Sequence, residues 1–198
     1  MGDKTLRELL PEFYKENNLG MEGGNNSASV RIEMTKNFVL YFPNFTARKK
    51  AVLKHDIHHL VTNYPSTFTG ETEISAWEIA SGCKKYWAAW VLDMSGMMTG
   101  ILFNFWGVLK AFARGRRTKN LYYDIISTEQ ALDMELSGLK KVLWLDKYPK
   151  NIKPSLIDFI LFVVLALFGI IYSILSLVLL PFIIIYTIYV SSRMRLQH

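Results

Sequence analysis

Leu53-Lys54-His55-Asp56-Ile57-His58-His59-Leu60-Val61 reads as one helix with two kinds of face. At about 100° per residue, Leu53, Ile57, Leu60 and Val61 form an apolar stripe. His55 and His59, four apart, project together from another side, the spacing by which a helix offers two imidazoles to one metal. Asp56 falls about 60° from His59, near enough to ligate or to orient a ligating histidine. Asn63-Tyr64-Pro65-Ser66-Thr67 is a turn, and Glu71 opens the next helix, so a helical return brings its carboxylate back to the histidines. His55, Asp56, His59 and Glu71 are therefore the candidate ligands of one divalent metal ion. Two neutral imidazoles with one or two carboxylates suit zinc, iron, manganese or cobalt. His58 points away from the pair and reads as a hydrogen-bonding residue. Glu73 and Glu78 are weaker candidates, and Cys83 reads as a packed thiol.

Working outward, the expected fold is all-α. Leu6, Leu9, Leu10 and Phe13 mark an amphipathic helix from Thr5 to Asn18. Gly20 to Ser27 is a loop, and Val30 to Phe42 fits either an extended segment or a short helix, ended by Pro43. Thr46 is the expected N-cap of a helix to Thr62, and Thr69 of a helix from Gly70 to Ser81. A long apolar helix fills Tyr86 to Arg114, with Asp93 and Asn104 as its polar exceptions. An amphipathic helix covers Thr128 to Leu145. Met94, Met97 and Met98 read as core filler rather than a lipid-lined cavity. This gives a helical metal- and lipid-binding domain over 1–150.

The remainder, 155–192, is a membrane segment. No charged residue occurs from Phe159 to Ser192, far more than the roughly 20 apolar residues that cross a bilayer. As one helix, Leu156 to Val190 would be about 52 Å long, against a hydrocarbon core about 30 Å thick. A helical hairpin broken near Gly169 to Ser173 or at Pro181 is thus preferred over one long helix. Basic flanks at Lys147, Lys150 and Lys153 before it and Arg193 and Arg195 after it place both ends on one side. The bulk of the chain is expected on the cytoplasmic side of its membrane, or the equivalent organellar side. The start, Met1 to Glu8, has no apolar signal core, so no secretory signal is expected. One cysteine excludes an internal disulfide and suits a reducing compartment. Asn25-Asn26-Ser27 and Asn44-Phe45-Thr46 are accordingly loop and cap residues, not glycosylation sites.

The net charge of +6 is carried by basic residues clustered at Arg114 to Lys119 and at Lys140, Lys141, Lys147, Lys150 and Lys153, with no aromatic platform or known module, so nucleic acid is not an expected partner. Arg114, Arg116 and Arg117 form the densest basic patch and are expected to contact lipid phosphates or an acidic head group.

The motif resembles the hallmark of the coenzyme Q biosynthesis protein 4 family, HDxxH, eleven residues, then Glu, met here by His55, Asp56, His59 and Glu71. The flanks are similar too: Phe42-Pro43-Asn44, His58 to Tyr64, Gly70 to Glu78, and Arg114 to Tyr122. The resemblance covers Leu6 to Tyr148. It implies a mostly helical fold, a metal on the four motif residues and a cavity for an isoprenoid or similar lipid. It also implies a part in ubiquinone biosynthesis, where the carboxylate of a prenylated ring is removed and that carbon hydroxylated. The apolar tail after Pro154 departs from the pattern, as relatives bind membranes peripherally.

The leading expectation is a membrane-anchored, metal-dependent enzyme acting on the head group of a prenylated or otherwise lipidic substrate, by decarboxylation or hydroxylation. The alternative is a non-catalytic lipid-binding scaffold organising a biosynthetic complex around a structural metal. A metal-dependent phosphohydrolase is disfavoured, because such sites need distant His and Asp ligands and the only other histidine is His198. Expected partners are membrane lipids and the lipidic substrate, with a homo-oligomer or a biosynthetic complex both open.

Overall fold

The computed structural model describes residues 4–19, 29–35 and 38–195. The chain is helical, as expected, with one antiparallel strand pair among the described residues. In order come α1 (Leu6–Glu16), β1 (Ser29–Thr35), β2 (Phe38–Pro43), α2 (Thr46–Thr62), α3 (Phe68–Ser81), α4 (Trp87–Phe103) and α5 (Phe105–Gly115). A 3-10 turn (Leu121–Tyr123), α6 (Thr128–Leu132), α7 (Leu136–Val142) and α8 (Leu156–Arg195) follow.

Local chemistry sets the helix ends. Thr5 and Glu8 form a capping box at α1. Asn63 ends α2 in the left-handed conformation, at φ 61°, which asparagine tolerates. The cap of α3 is Thr67, whose hydroxyl accepts from the Gly70 N–H, two residues before the expected Thr69. Phe45, not Thr46, is the N-cap position of α2. The loop expected at Gly20 to Ser27 lies outside the described residues.

The core is α3 packed between α4 and α5. Ile74, Ala76 and Trp77 of α3 are buried against Met94 and Met97 of α4 and Val108 and Ala111 of α5. Gly96 permits this approach, since a Cβ there would collide with the Ser75 side chain. Met94 and Met97 are core residues, as the sequence reading had them.

Three expected elements differ. The helix from Tyr86 to Arg114 is broken at Asn104 (φ −147°, ψ 47°), whose amide donates to Glu73 and whose carbonyl starts α5 by accepting from Val108. The break lets α5 turn back along α3. The helix from Thr128 to Leu145 is likewise two, because Met134 and Glu135 pair their backbones with Leu6 and Thr5 at the start of α1. The ambiguous stretch from Val30 to Phe42 is extended, with Ser29 opposite Pro43.

The preferred membrane hairpin is replaced by one uninterrupted helix. α8 runs 40 residues through Gly169 and Pro181, about 60 Å at the helical rise. Ser173, at the expected break, and Ser176 return their hydroxyls to the carbonyls of Gly169 and Tyr172 one turn back. By length and composition α8 is apolar enough to cross a membrane, and little of it is buried against the body, so it is not a core helix. It is a candidate membrane anchor.

Candidate metal centre

α2 carries His55 and His59 one turn apart, their rings edge to face with centroids 4.7 Å apart. The turn through Pro65 returns the chain so that Glu71, in the first turn of α3, meets both. Its carboxylate oxygens lie 3.3 Å from His55 Nε2 and 3.2 Å from His59 Nε2, and the two Nε2 atoms are 3.1 Å apart. Ser66 orients Glu71 by donating its hydroxyl to Oε1 at 2.9 Å.

Hydrogen bonds on the far side of each ring set the tautomers. His59 Nδ1–H donates to the Tyr64 carbonyl at 2.8 Å, and His55 Nδ1–H donates to Glu78 Oε2 at 3.0 Å. Each ring therefore turns its Nε2 toward Glu71. Two nitrogens and a carboxylate meet where only a cation satisfies all three. In the metal-free protein that cation is a proton on His55. Burial lowers the His55 pKa, yet the charges and hydrogen bonds of Glu78 and Glu71 overcome this and hold it well above 6.5. Burial pushes Glu71 up, but the two histidines outweigh it and hold the carboxyl well below its ordinary range.

These residues fit a metal. Atoms bound at about 2.0–2.2 Å on neighbouring corners of a coordination shell sit roughly 3.0–3.6 Å apart, the spacing found between the three donors. The structure thus brings His55, His59 and Glu71 together as one group. It does not bring Asp56 into the group. Asp56 accepts from the Tyr14 hydroxyl at 2.9 Å, so its carboxylate is held toward α1 while it lines the same cavity. The cause is the helix itself, because adjacent residues point about 100° apart and α1 supplies a competing donor.

Behind His55 lies a buried network that the sequence only hinted at. Glu78 is fully buried and accepts from His55, from His58 Nδ1–H and from the Tyr122 hydroxyl at 3.2 Å. His58 is neutral, because its Nε2 accepts the Leu121 backbone N–H at 2.9 Å while its Nδ1 donates to Glu78. Asp93 completes the cluster. Burial and the neighbouring Glu78 charge push its carboxyl well above the usual range, which favours its protonated form beside Glu78. Cys83 packs beside it as a buried thiol with Sγ 3.6 Å from Asp93. The signal available for Glu78 was its position seven residues after Glu71, two turns along the same face.

A cavity of about 540 Å³ opens above the three donors. Ala51, Val52, Ala89, Leu92 and Phe68 give it apolar walls, while Arg48, Asp56, Ser95 and Thr99 add polar groups. Arg48 bonds to Asn44 at 3.0 Å and has no carboxylate ion pair among the described residues.

The basic patch is placed differently from expectation. Arg114 is 4% exposed and donates to the carbonyls of Thr62 and Tyr148, tying α5 to the end of α2, so it presents nothing to a head group. Arg116 and Arg117 both grip Asp158 at the start of α8. They tie the start of α8 to the body, and both side chains stay partly exposed.

Comparisons with protein-family models, curated proteins and solved structures find no match to this chain.

Proposed function

We propose that His55, His59 and Glu71 hold one divalent metal ion and that the chain is a membrane-anchored enzyme acting on the polar head of a lipidic substrate. The observation that carries this is the meeting of two imidazole nitrogens and a carboxylate at 3.1–3.3 Å, at the floor of a cavity with apolar walls. Three protein donors match the catalytic pattern, in which a position stays open for water or substrate, better than a closed structural site with four. That weighs against the scaffold alternative.

The metal would supply Lewis acidity, or oxygen activation if it is iron. The chain's own residues do the rest. Glu78 fixes the tautomer and aim of His55, and the Tyr64 carbonyl does so for His59. Arg48, half-buried at the cavity wall, offers a charge to an acidic head group, the role expected of Arg114, Arg116 and Arg117. Asp56, linked to Tyr14, stands beside the donors to accept or return a proton. Burial raises its carboxyl above the ordinary value, which brings it nearer to proton exchange at neutral pH. Leu92, Phe68 and Val52 exclude water around an apolar tail. That the head group is a prenylated ring of the ubiquinone type rests on the motif resemblance alone.

The test is metal content of the full chain, purified in detergent and loaded at neutral pH, read by elemental mass spectrometry. One zinc, iron or manganese per chain, lost in His59→Ala, is the expected result. No bound metal after loading overturns the proposal.

A further inference from the structure

We infer that α8 lies in the plane of one membrane leaflet, with the folded body on its aqueous side and the cavity opening at the level of the acyl chains. The inference needs no metal and no reaction, only that α8 meets a membrane.

The body holds α8 along most of its length. Asp158 is gripped by Arg116 and Arg117. Phe162 packs its ring on Phe105 and Phe112. Gly169 lies against Met98 and Met94 of α4. The Tyr172 hydroxyl donates to the Val91 carbonyl at 2.9 Å, and Thr187 accepts the Tyr41 N–H of β2 at 3.0 Å. These positions are four, seven, three and fifteen residues apart, close to whole helical turns, so they form one stripe of the helix, which also carries Ser176. On the remaining faces Leu161, Phe168, Ile174, Leu177, Val178 and Ile185 are exposed and apolar.

From Asp158 to Thr187 is about 43 Å of helix axis at 1.5 Å per residue. The hydrocarbon core is only about 30 Å thick. An upright α8 would therefore pull the docked body through the whole bilayer, although its surface exposes Arg7, Glu12 and Lys15 on α1 and Lys84 and Lys85 before α4. Laid flat, α8 immerses its apolar faces and keeps the body in water, as interfacial helices do. The basic residues at both ends, Lys147, Lys150 and Lys153 before and Arg193 after, then all sit at head-group level. Tryptophans suit this placement: Trp87 and Trp90 at the start of α4 and Trp106 just beyond its end are exposed, on the two helices that pack against α8.

The cavity rim touches the same layer. Ser95 lines the cavity and its hydroxyl is 3.1 Å from that of Tyr172 on α8. Two aromatic pairs stand near this rim, Phe45 stacked on Trp87 and Phe68 against Phe103. A lipid can thus pass from the leaflet to the donors without crossing water.

The experiment uses the full chain added to sealed vesicles of phosphatidylcholine with a minority of phosphatidylglycerol. Single cysteines replace Lys15 on the body, Lys153 before α8 and Ser192 at its end, and are labelled with a membrane-impermeant maleimide before and after permeabilisation. Native Cys83 is buried and does not compete. Spin labels at Phe168→Cys, Ile174→Cys and Ile185→Cys report depth by the balance of oxygen and nickel-chelate relaxation. The inference expects equal labelling of all three outer cysteines and one shallow depth along α8, about 5–10 Å below the head groups. Ser192→Cys protected while Lys15→Cys reacts means a spanning helix and overturns it. Equal labelling with Ile174→Cys far deeper than the other two means a hairpin and overturns it. Failure of the chain to float with the vesicles removes the membrane altogether.

Discussion

At the scale of single residues, the site is a problem of where protons sit. His55 holds a proton in the metal-free protein because two carboxylates flank it, so metal must displace that proton to bind. Affinity should therefore rise with pH through neutrality and level off near the raised His55 pKa. Calorimetry in buffers of different ionisation enthalpy should find about one proton released per metal. Stability carries the opposite sign. A histidine whose folded pKa exceeds 6.5 contributes stability that is complete below that value and is lost as pH rises through the folded one. Melting of the metal-free protein should fall over this alkaline window, and that of the loaded protein should not. Glu78→Gln keeps all three donors but loses the charge behind His55, and should weaken metal binding by about 10–100-fold. Asp56→Asn should leave one metal per chain, since Asp56 is held by Tyr14 outside the donor group. If Asp56→Asn loses metal as fully as His59→Ala, the three-donor assignment is wrong. The spacing of His55, His59 and Glu71 made this much readable in advance. The place of Asp56 was not, because the deciding partner, Tyr14, comes from a helix 42 residues away in the chain.

At the scale of elements, periodicity located α1, α2 and α3 to within a few residues but could not locate breaks made by distant contacts. Asn104 interrupts an apolar run because Glu73 binds its amide, and Met134 and Glu135 interrupt another because α1 needs backbone partners. Likewise the length of the apolar tail pointed to a hairpin, while the contacts that keep α8 straight against the body are invisible in composition. Two of those contacts can be removed separately. Asp158→Ala strands Arg116 and Arg117, which are only partly exposed, and should cost roughly 2 kcal/mol while freeing the start of α8. Limited proteolysis should then cut faster between Lys147 and Ser155, with metal content unchanged. Gly169→Leu pushes against Met98 and Met94 and should loosen the same interface from the other end. Unchanged cleavage in both variants would mean that α8 docks by other contacts.

At the scale of the whole molecule, three parts that read as separate in the sequence share one purpose. The buried network around Glu78 sets the donors and the cavity adds apolar walls, and α8, laid in a leaflet as inferred above, would bring lipid to its rim. Arg48 joins them, as the one Lys or Arg among the residues that line the cavity, whose other polar groups are hydroxyls, the carboxylates of Asp56 and Asp93 and the three donors. A hydrogen bond to a charged group contributes about 1.5–3 kcal/mol, and about 1.4 kcal/mol is tenfold in affinity. Laurate should therefore bind the full chain at least about tenfold more tightly than lauryl alcohol. Arg48→Gln should remove that preference without altering metal content or the binding of the alcohol. Ligand at 100 times its dissociation constant raises stability by about 2.7 kcal/mol, enough for the difference to be read as a shift in melting temperature in the wild-type chain and its absence in the variant. Equal binding of laurate by both proteins would move the head-group contact away from Arg48 and toward the metal itself, and His59→Ala, which keeps Arg48, would then lose the preference instead.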